Sequence, residues 1–209
     1  MKLKFGLIGL IGAVAMTSLP VQAQDLDPEN TLVITTSDGC KITAGLRPDL
    51  APKHVAQIKK LARAGFYDGI IFHRVIEGFM AQTGDPQGTG QGGSDLPDLK
   101  AEFNSLPHLR GTASMARTQA PDSANSQFFI MFMPMTGTMD GNYTGWGRVI
   151  SGMEFVDKIA RGEPPANPSR ILKASIAADN VPPPPPAIAA PEAAPAVQQA
   201  AAQAPPPQN

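Results

Sequence analysis

Residues 31–177 of this 209-residue chain are cut into short apolar runs by turn-forming residues, and that pattern constrains the fold more than any other feature. Thr31–Thr36 (TLVITT) is β-branched, Ser37-Asp38-Gly39 is a turn, and residues 40–46 return as a second strand, which is a hairpin signal. A helix follows: Pro52 falls in its first turn, behind Asp49 or Ala51. Val55, Ile58, Leu61 and Ala62 make its apolar stripe, and Gly65 ends it. His54 is expected at the surface or rim of this helix, beside the solvated face of Lys53, Lys59, Lys60 and Arg63. Further strands are expected at residues 70–75, around Met80 to Gln82, and at 111–116, 127–133, 146–150 and 169–177. Ser151 and Glu154 read as a capping box for a second helix lined by Met153, Val156, Ile159 and Ala160, with Gly162 at its end. The pattern gives about eight short strands and two helices without strand–helix alternation, so it favours an antiparallel barrel or sandwich over a doubly wound parallel sheet.

Both ends differ from this core. Residues 1–23 read as a secretory signal peptide: Lys2 and Lys4, then an apolar run, then Val21-Gln22-Ala23 before a cut at Ala23/Gln24. The rival reading is a membrane anchor, but the run is short for a span of ~20 residues. Residues 24–30 form a short extension and 31–178 the foldable domain. The remainder, 179–209, holds five consecutive prolines and Ala/Pro/Gln sequence, so it is expected to stay disordered, as a spacer or as a docking segment for an unknown partner. Cleavage would leave 15 basic against 18 acidic residues, a net charge of −3, and export to the periplasm with no membrane span remaining.

The near-neutral charge and the lack of a basic cluster exclude a nucleic-acid footprint. A single cysteine, Cys40, excludes an internal disulfide and a Cys-ligated metal. His54, His73 and His108 lack ligand-like spacing, so no metal is expected. The loop at 84–93 carries five glycines, but no Gly-Lys-Ser/Thr ending follows, so a structural loop is expected rather than a phosphate cradle.

The chemistry concentrates in residues 72–93, FHRVIEGFMAQTGDPQGTGQGG. Met80 and Gln82 share a strand face, and a turn near Glu77-Gly78 could bring Arg74 beside them. That would set a planar cationic donor over an apolar floor, suiting an apolar ring next to an amide. Gln127 and Phe129 share a face of a later strand.

FHRVIEGFMAQTGD, SMARTQAPDSANSQFFI and MDGNYTGWGRV, in this order, resemble the cyclophilin family of peptidyl-prolyl cis-trans isomerases, and specifically its bacterial exported branch. The resemblance implies a mainly β fold, a closed eight-stranded antiparallel barrel capped by two α-helices. It implies an isomerase acting on X–Pro bonds of unfolded or partly folded exported chains, monomeric and without a cofactor. The family's catalytic arginine falls on Arg74. Its substrate-binding residues fall on Phe79, Met80, Gln82, Ala116, Arg117, Gln127, Phe129, Met139 and Tyr143. Met139 stands for the family's leucine, Tyr143 for its frequent histidine and Arg117 for its asparagine. Thr138 replaces a tryptophan associated with tight cyclosporin binding, which implies weak binding of that drug. A non-catalytic proline-binding chaperone or an envelope scaffold remains the alternative. His73 is expected to be structural, since bond rotation needs no proton abstraction.

Overall fold

The computed structural model describes residues 27–180 and 182. The expected signal peptide with its cut at Ala23/Gln24, and nearly all of the expected tail, lie outside the described residues.

Eight antiparallel strands make one sheet: β1 (Thr31–Thr36), β2 (Lys41–Leu46), β3 (Arg74–Ile76), β4 (Met80–Thr83), β5 (Thr112–Met115), β6 (Phe128–Met131), β7 (Gly145–Ser151) and β8 (Ile171–Ile176). Their order is β3-β4-β6-β5-β7-β2-β1-β8. The chain entering β3 meets the opposite edge, because Ile71 bridges Arg170 and the Phe72 N–H donates to the Ser169 carbonyl at 2.9 Å. The sheet thus rolls up on itself, as the run of short strands predicts. Residues 70–73 serve this closure and are not regular strand, so β3 starts four residues later than expected.

Inward-facing residues of all strands fill the barrel. Trp146, Phe128 and Tyr67 form an edge-to-face series with ring centroids 5.4 and 5.5 Å apart. The Tyr67 hydroxyl donates to the Ser126 carbonyl at 3.1 Å, and burial pushes its pKa up.

Helix α1 (Pro52–Arg63) packs its stripe on the barrel, against β8. Its N-cap, Ala51, has no polar side chain to offer. Glu102 caps it from a distant loop, accepting from the Lys53 N–H at 3.1 Å and the His54 N–H at 3.2 Å. The same carboxylate lies 2.7 Å from His54 Nδ1. His54 is therefore fully buried, contrary to the rim position expected from sequence. Burial pushes its pKa down, and the Glu102 carboxylate only partly opposes this.

The second helix is also corrected. Two four-residue helices follow β6: α2 (Thr136–Met139) and α3 (Met153–Val156). Ser151 caps neither, because it is the last residue of β7, paired with Thr43. Gly152, left-handed at φ 86°, makes the break into α3 instead. Gly162 does not cap a helix; it pairs with Val75.

The two ends of the described chain meet on one face. Asp27 caps a 3-10 turn at Pro28–Asn30, and Arg63 of α1 bridges Glu29 at 2.7 Å and Asp179 at 3.0 Å. The fold thus takes in part of the expected N-terminal extension.

Candidate functional site

The β3–β4 hairpin turns at Glu77-Gly78 and sets Arg74 opposite Gln82. On the other side of β4, Gln82 lies opposite Phe129 and Met80 opposite Met131. Residues directly opposite share a face of the sheet, so Arg74, Met80, Gln82, Phe129 and Met131 point out of the same side of the barrel. A second apolar cluster forms there, separate from the main core. Met80, Phe129, Met131 and Met139 are its buried members, and Phe79, Ala116, Tyr143, Ile76 and Met135 pack around it.

Over this floor runs a chain of side-chain amides. The Gln127 amide group donates to the carbonyls of Gly90 at 3.0 Å and Gly92 at 2.8 Å. Its oxygen accepts from Gln82 Nε2 at 2.9 Å, which leaves Gln82 Oε1 to receive Arg74 Nη1 at 3.5 Å. The amide orientation of each glutamine is set by the next. The loop at 84–93 is therefore more than a structural connection: its carbonyls anchor one end of the chain that reaches Arg74.

Asp85 holds that loop. It is fully buried and accepts from the N–H groups of Gln87 (2.8 Å), Thr89 (2.8 Å) and Gly90 (2.6 Å), and from the Thr89 hydroxyl at 3.1 Å. Burial opposes its charge, but these donors outweigh it, and its pKa lies below the usual aspartate value. The folded pKa is thus below the unfolded one, so Asp85 contributes stability above the unfolded value and loses it as pH falls through the folded one. Asp85→Asn is expected to cost about 1.5–3 kcal/mol at neutral pH. Urea unfolding of both proteins across a pH series should show the gap closing at acid pH; a gap independent of pH would overturn this.

The far wall is built on β5, α2 and the loop before β7. The Ala116 N–H donates to the Gln127 carbonyl at 2.9 Å, fixing Ala116 at the rim. Arg117 folds back on the protein: its guanidinium lies 4.7 Å from the Tyr143 ring centroid, and its Nε donates to the Asn142 carbonyl at 3.0 Å. The Tyr143 ring meets Phe129 edge-on at 5.7 Å. Beside this wall a cavity of about 540 Å³ is lined by Gln82, Ala116, Arg117, Asn125, Gln127 and the glycine loop. All ten sequence-predicted residues therefore come together, Arg117 as a cover over Tyr143 and part of the cavity lining rather than as a free cation.

Four residues escaped the sequence reading. Met131 follows Gln127 and Phe129 at period two and was legible by that alternation. His108 and Asp140 lie behind the wall. The Asp140 carboxylate accepts from His108 Nδ1 at 2.8 Å, and the other ring nitrogen, Nε2, shares a hydrogen bond with the Ser114 hydroxyl at 3.0 Å. This resembles a nucleophilic triad, but Ser114 is fully buried and no substrate reaches it. It fixes the turn carrying Met139. Glu163 is the fourth: its Oε2 accepts from Arg74 Nε at 2.8 Å. His73 is buried, as a structural role requires, and burial pushes its pKa down.

Comparisons with known proteins agree with this geometry. The family described as cyclophilin type peptidyl-prolyl cis-trans isomerase/CLD matches residues 31–176. A probable peptidyl-prolyl cis-trans isomerase of Brucella suis biovar 1 (strain 1330) is 52% identical over 183 residues, covering 79% of this chain and 92% of that protein. Peptidyl-prolyl cis-trans isomerase B of Bacillus subtilis (strain 168) is 42% identical over 127 residues, covering 60% and 87%. Among solved structures, cyclophilin AquaCyp293 from Hirschia baltica superposes with a TM-score of 0.68 at 31% identity, covering 75% of this chain and 77% of that one. A Cryptosporidium parvum cyclophilin-type isomerase, crystallised in the presence of the dipeptide Ala-Pro, gives 0.65 at 29% identity, covering 70% and 98%.

Proposed function

The chain belongs to the cyclophilin-type peptidyl-prolyl cis-trans isomerases and catalyses rotation about X–Pro bonds; we propose that Arg74 is the acting group and that the substrates are exported proteins being folded. The observation that carries the Arg74 reading is the amide chain from the glycine loop through Gln127 and Gln82 to Arg74, set over the Met80–Phe129–Met139 floor.

Rotation is slow because amide resonance must be broken, at ~18–20 kcal/mol. In the twisted state the proline nitrogen regains a lone pair. A donor fixed near that nitrogen stabilises the twisted state more than either planar isomer, which is the differential binding that catalysis requires. Arg74 suits this because it is always charged and presents a rigid fork of donors. Phe79, Met80, Phe129, Met139 and Tyr143 would grip the pyrrolidine ring, so that rotation occurs on the side of the preceding carbonyl. Gln82 and Gln127 would orient the donor, and the backbone at Ala116 and Arg117 would hold the substrate chain. The neighbouring cavity has room for residues flanking the proline. No proton moves and no covalent bond to substrate forms.

The reading of residues 1–23 as a cleavable signal supports a periplasmic location, with a monomeric enzyme acting on proline-containing chains and the Pro/Ala-rich end as spacer or docking segment. Expression of the full chain in a Gram-negative host, followed by fractionation and N-terminal sequencing, tests this. Mature protein beginning at Gln24 in the periplasmic fraction is expected; uncleaved protein in the cytoplasm would overturn it. A protease-coupled cis/trans assay on a proline peptide measures the activity itself.

A further inference from the structure

The sheet ends at β3, and an unpaired edge there would leave Arg74 on a free strand. A three-residue strap from the loop after α3 covers it. Gly162 and Val75 exchange both backbone hydrogen bonds, at 2.8 and 2.9 Å. This antiparallel bridge fixes the residues on either side. Arg161 falls beside the hairpin turn, where its Nε donates to Glu77 at 2.6 Å and its guanidinium covers the Phe132 ring at 4.2 Å. Glu163 falls beside Arg74 and accepts from its Nε at 2.8 Å. Gly162, at φ 142°, lets the strap fold back on its own continuation, since an added Cβ would lie 2.6 Å from the Pro165 Cα.

We propose that Glu163 is a positioning residue for the catalytic guanidinium, holding one edge of its fork so that the other edge faces the proline nitrogen. The inference rests on Arg74 being the acting group. The two contacts on Arg74 are unequal. Gln82 reaches Nη1 at 3.5 Å, the outer limit of a hydrogen bond, whereas Glu163 reaches Nε at 2.8 Å with a charge-assisted one. A flexible arginine held only by the Gln82 contact would sample several rotamers. Glu163 removes that freedom through the donor that the reaction does not need. Its charge also lowers the positive potential of the fork, so the two effects oppose each other. The bond to Nε, and not the charge, is the part that acts.

Steady-state kinetics with a proline peptide separates these. Glu163→Ala is expected to lower kcat about three- to tenfold with KM changed less than about twofold, because orientation acts in the twisted state. Glu163→Gln keeps an acceptor oxygen and should recover most of the loss. In Arg74→Ala/Glu163→Ala the second change should add nothing to the first. By NMR, Arg74 Nε–H, assigned by its loss in Arg74→Lys, should exchange with water several-fold faster in Glu163→Ala. An unchanged or raised kcat in Glu163→Ala, or a Glu163→Gln variant no better than it, overturns the proposal. If Arg74→Ala itself keeps full activity, the reading of Arg74 fails and the positioning role with it. If only Glu163→Ala is without effect, Arg74 stands alone.

Discussion

Arg74→Ala should lower kcat/KM for a proline peptide by about a thousandfold while leaving the protein folded. Selective stabilisation of a developing lone pair by a preorganised donor is worth ~4 kcal/mol, which is about three powers of ten in rate. The fold has little stake in this side chain. Arg74 is 41% exposed and its partner Glu163 53%, so their ion pair is screened, and its loss should shift stability by less than about 1 kcal/mol. Arg74→Lys should recover only a small part of the activity. An ammonium is a point charge without the fork that Gln82 and Glu163 hold at two separate nitrogens. Protease-coupled kinetics beside thermal melts checks both halves. An Arg74→Ala protein that melts like wild type and retains more than about a tenth of its activity would sink the arginine-centred mechanism. The same variant discriminates a proline-binding chaperone from an enzyme, since capture of a client needs the apolar floor and not the guanidinium.

The parts of the molecule legible in sequence are those specified over a few residues. Thr31–Thr36 was readable to the residue because β-branching and turn chemistry agree there. The Arg74–Gln82 pairing was readable because a tight hairpin forces it. The failures have a common physical cause, a partner far along the chain. His54 lies on the same stripe as Ile58 and Leu61 by helical period. A histidine there looks costly to bury until Glu102, 48 residues away, supplies its partner and the helix cap together. Glu163 stands in a proline-rich loop with nothing local to mark it, and its partner Arg74 is 89 residues distant. Ser151 and Glu154 satisfied a local rule that the sheet overrode, because continuing β7 one residue further satisfies more backbone than the cap would. The site residues themselves were found through motifs. Their grouping into one groove follows from the strand order, in which β4 and β5 flank β6 although they lie about thirty residues apart in the chain.

Phe128 and Phe129 make the division between fold and site testable on adjacent residues. Successive side chains of β6 point to opposite faces. Phe128 points inward, with Tyr67 and Trp146 edge-on at 5.5 and 5.4 Å. Phe129 points to the groove, among Met80, Met131, Met139 and Tyr143. Phe128→Ala should cost about 3–5 kcal/mol, because rigid aromatic neighbours on both sides cannot collapse into the cavity left behind. Against a total of about 5–15 kcal/mol this leaves a marginal protein, although its folded fraction should keep near-normal kcat/KM. Phe129→Ala should cost less stability, since the methionines around it are flexible and can move into the gap. Its kcat/KM should fall about tenfold or more, because a pyrrolidine ring loses a buried aromatic surface that grips it. Urea unfolding and kinetics corrected for the folded fraction give the four numbers required. If Phe129→Ala proves the more destabilising, or Phe128→Ala the more damaging per folded molecule, then β6 does not separate core from groove, and the smaller apolar cluster is an extension of the core and not a seat for proline.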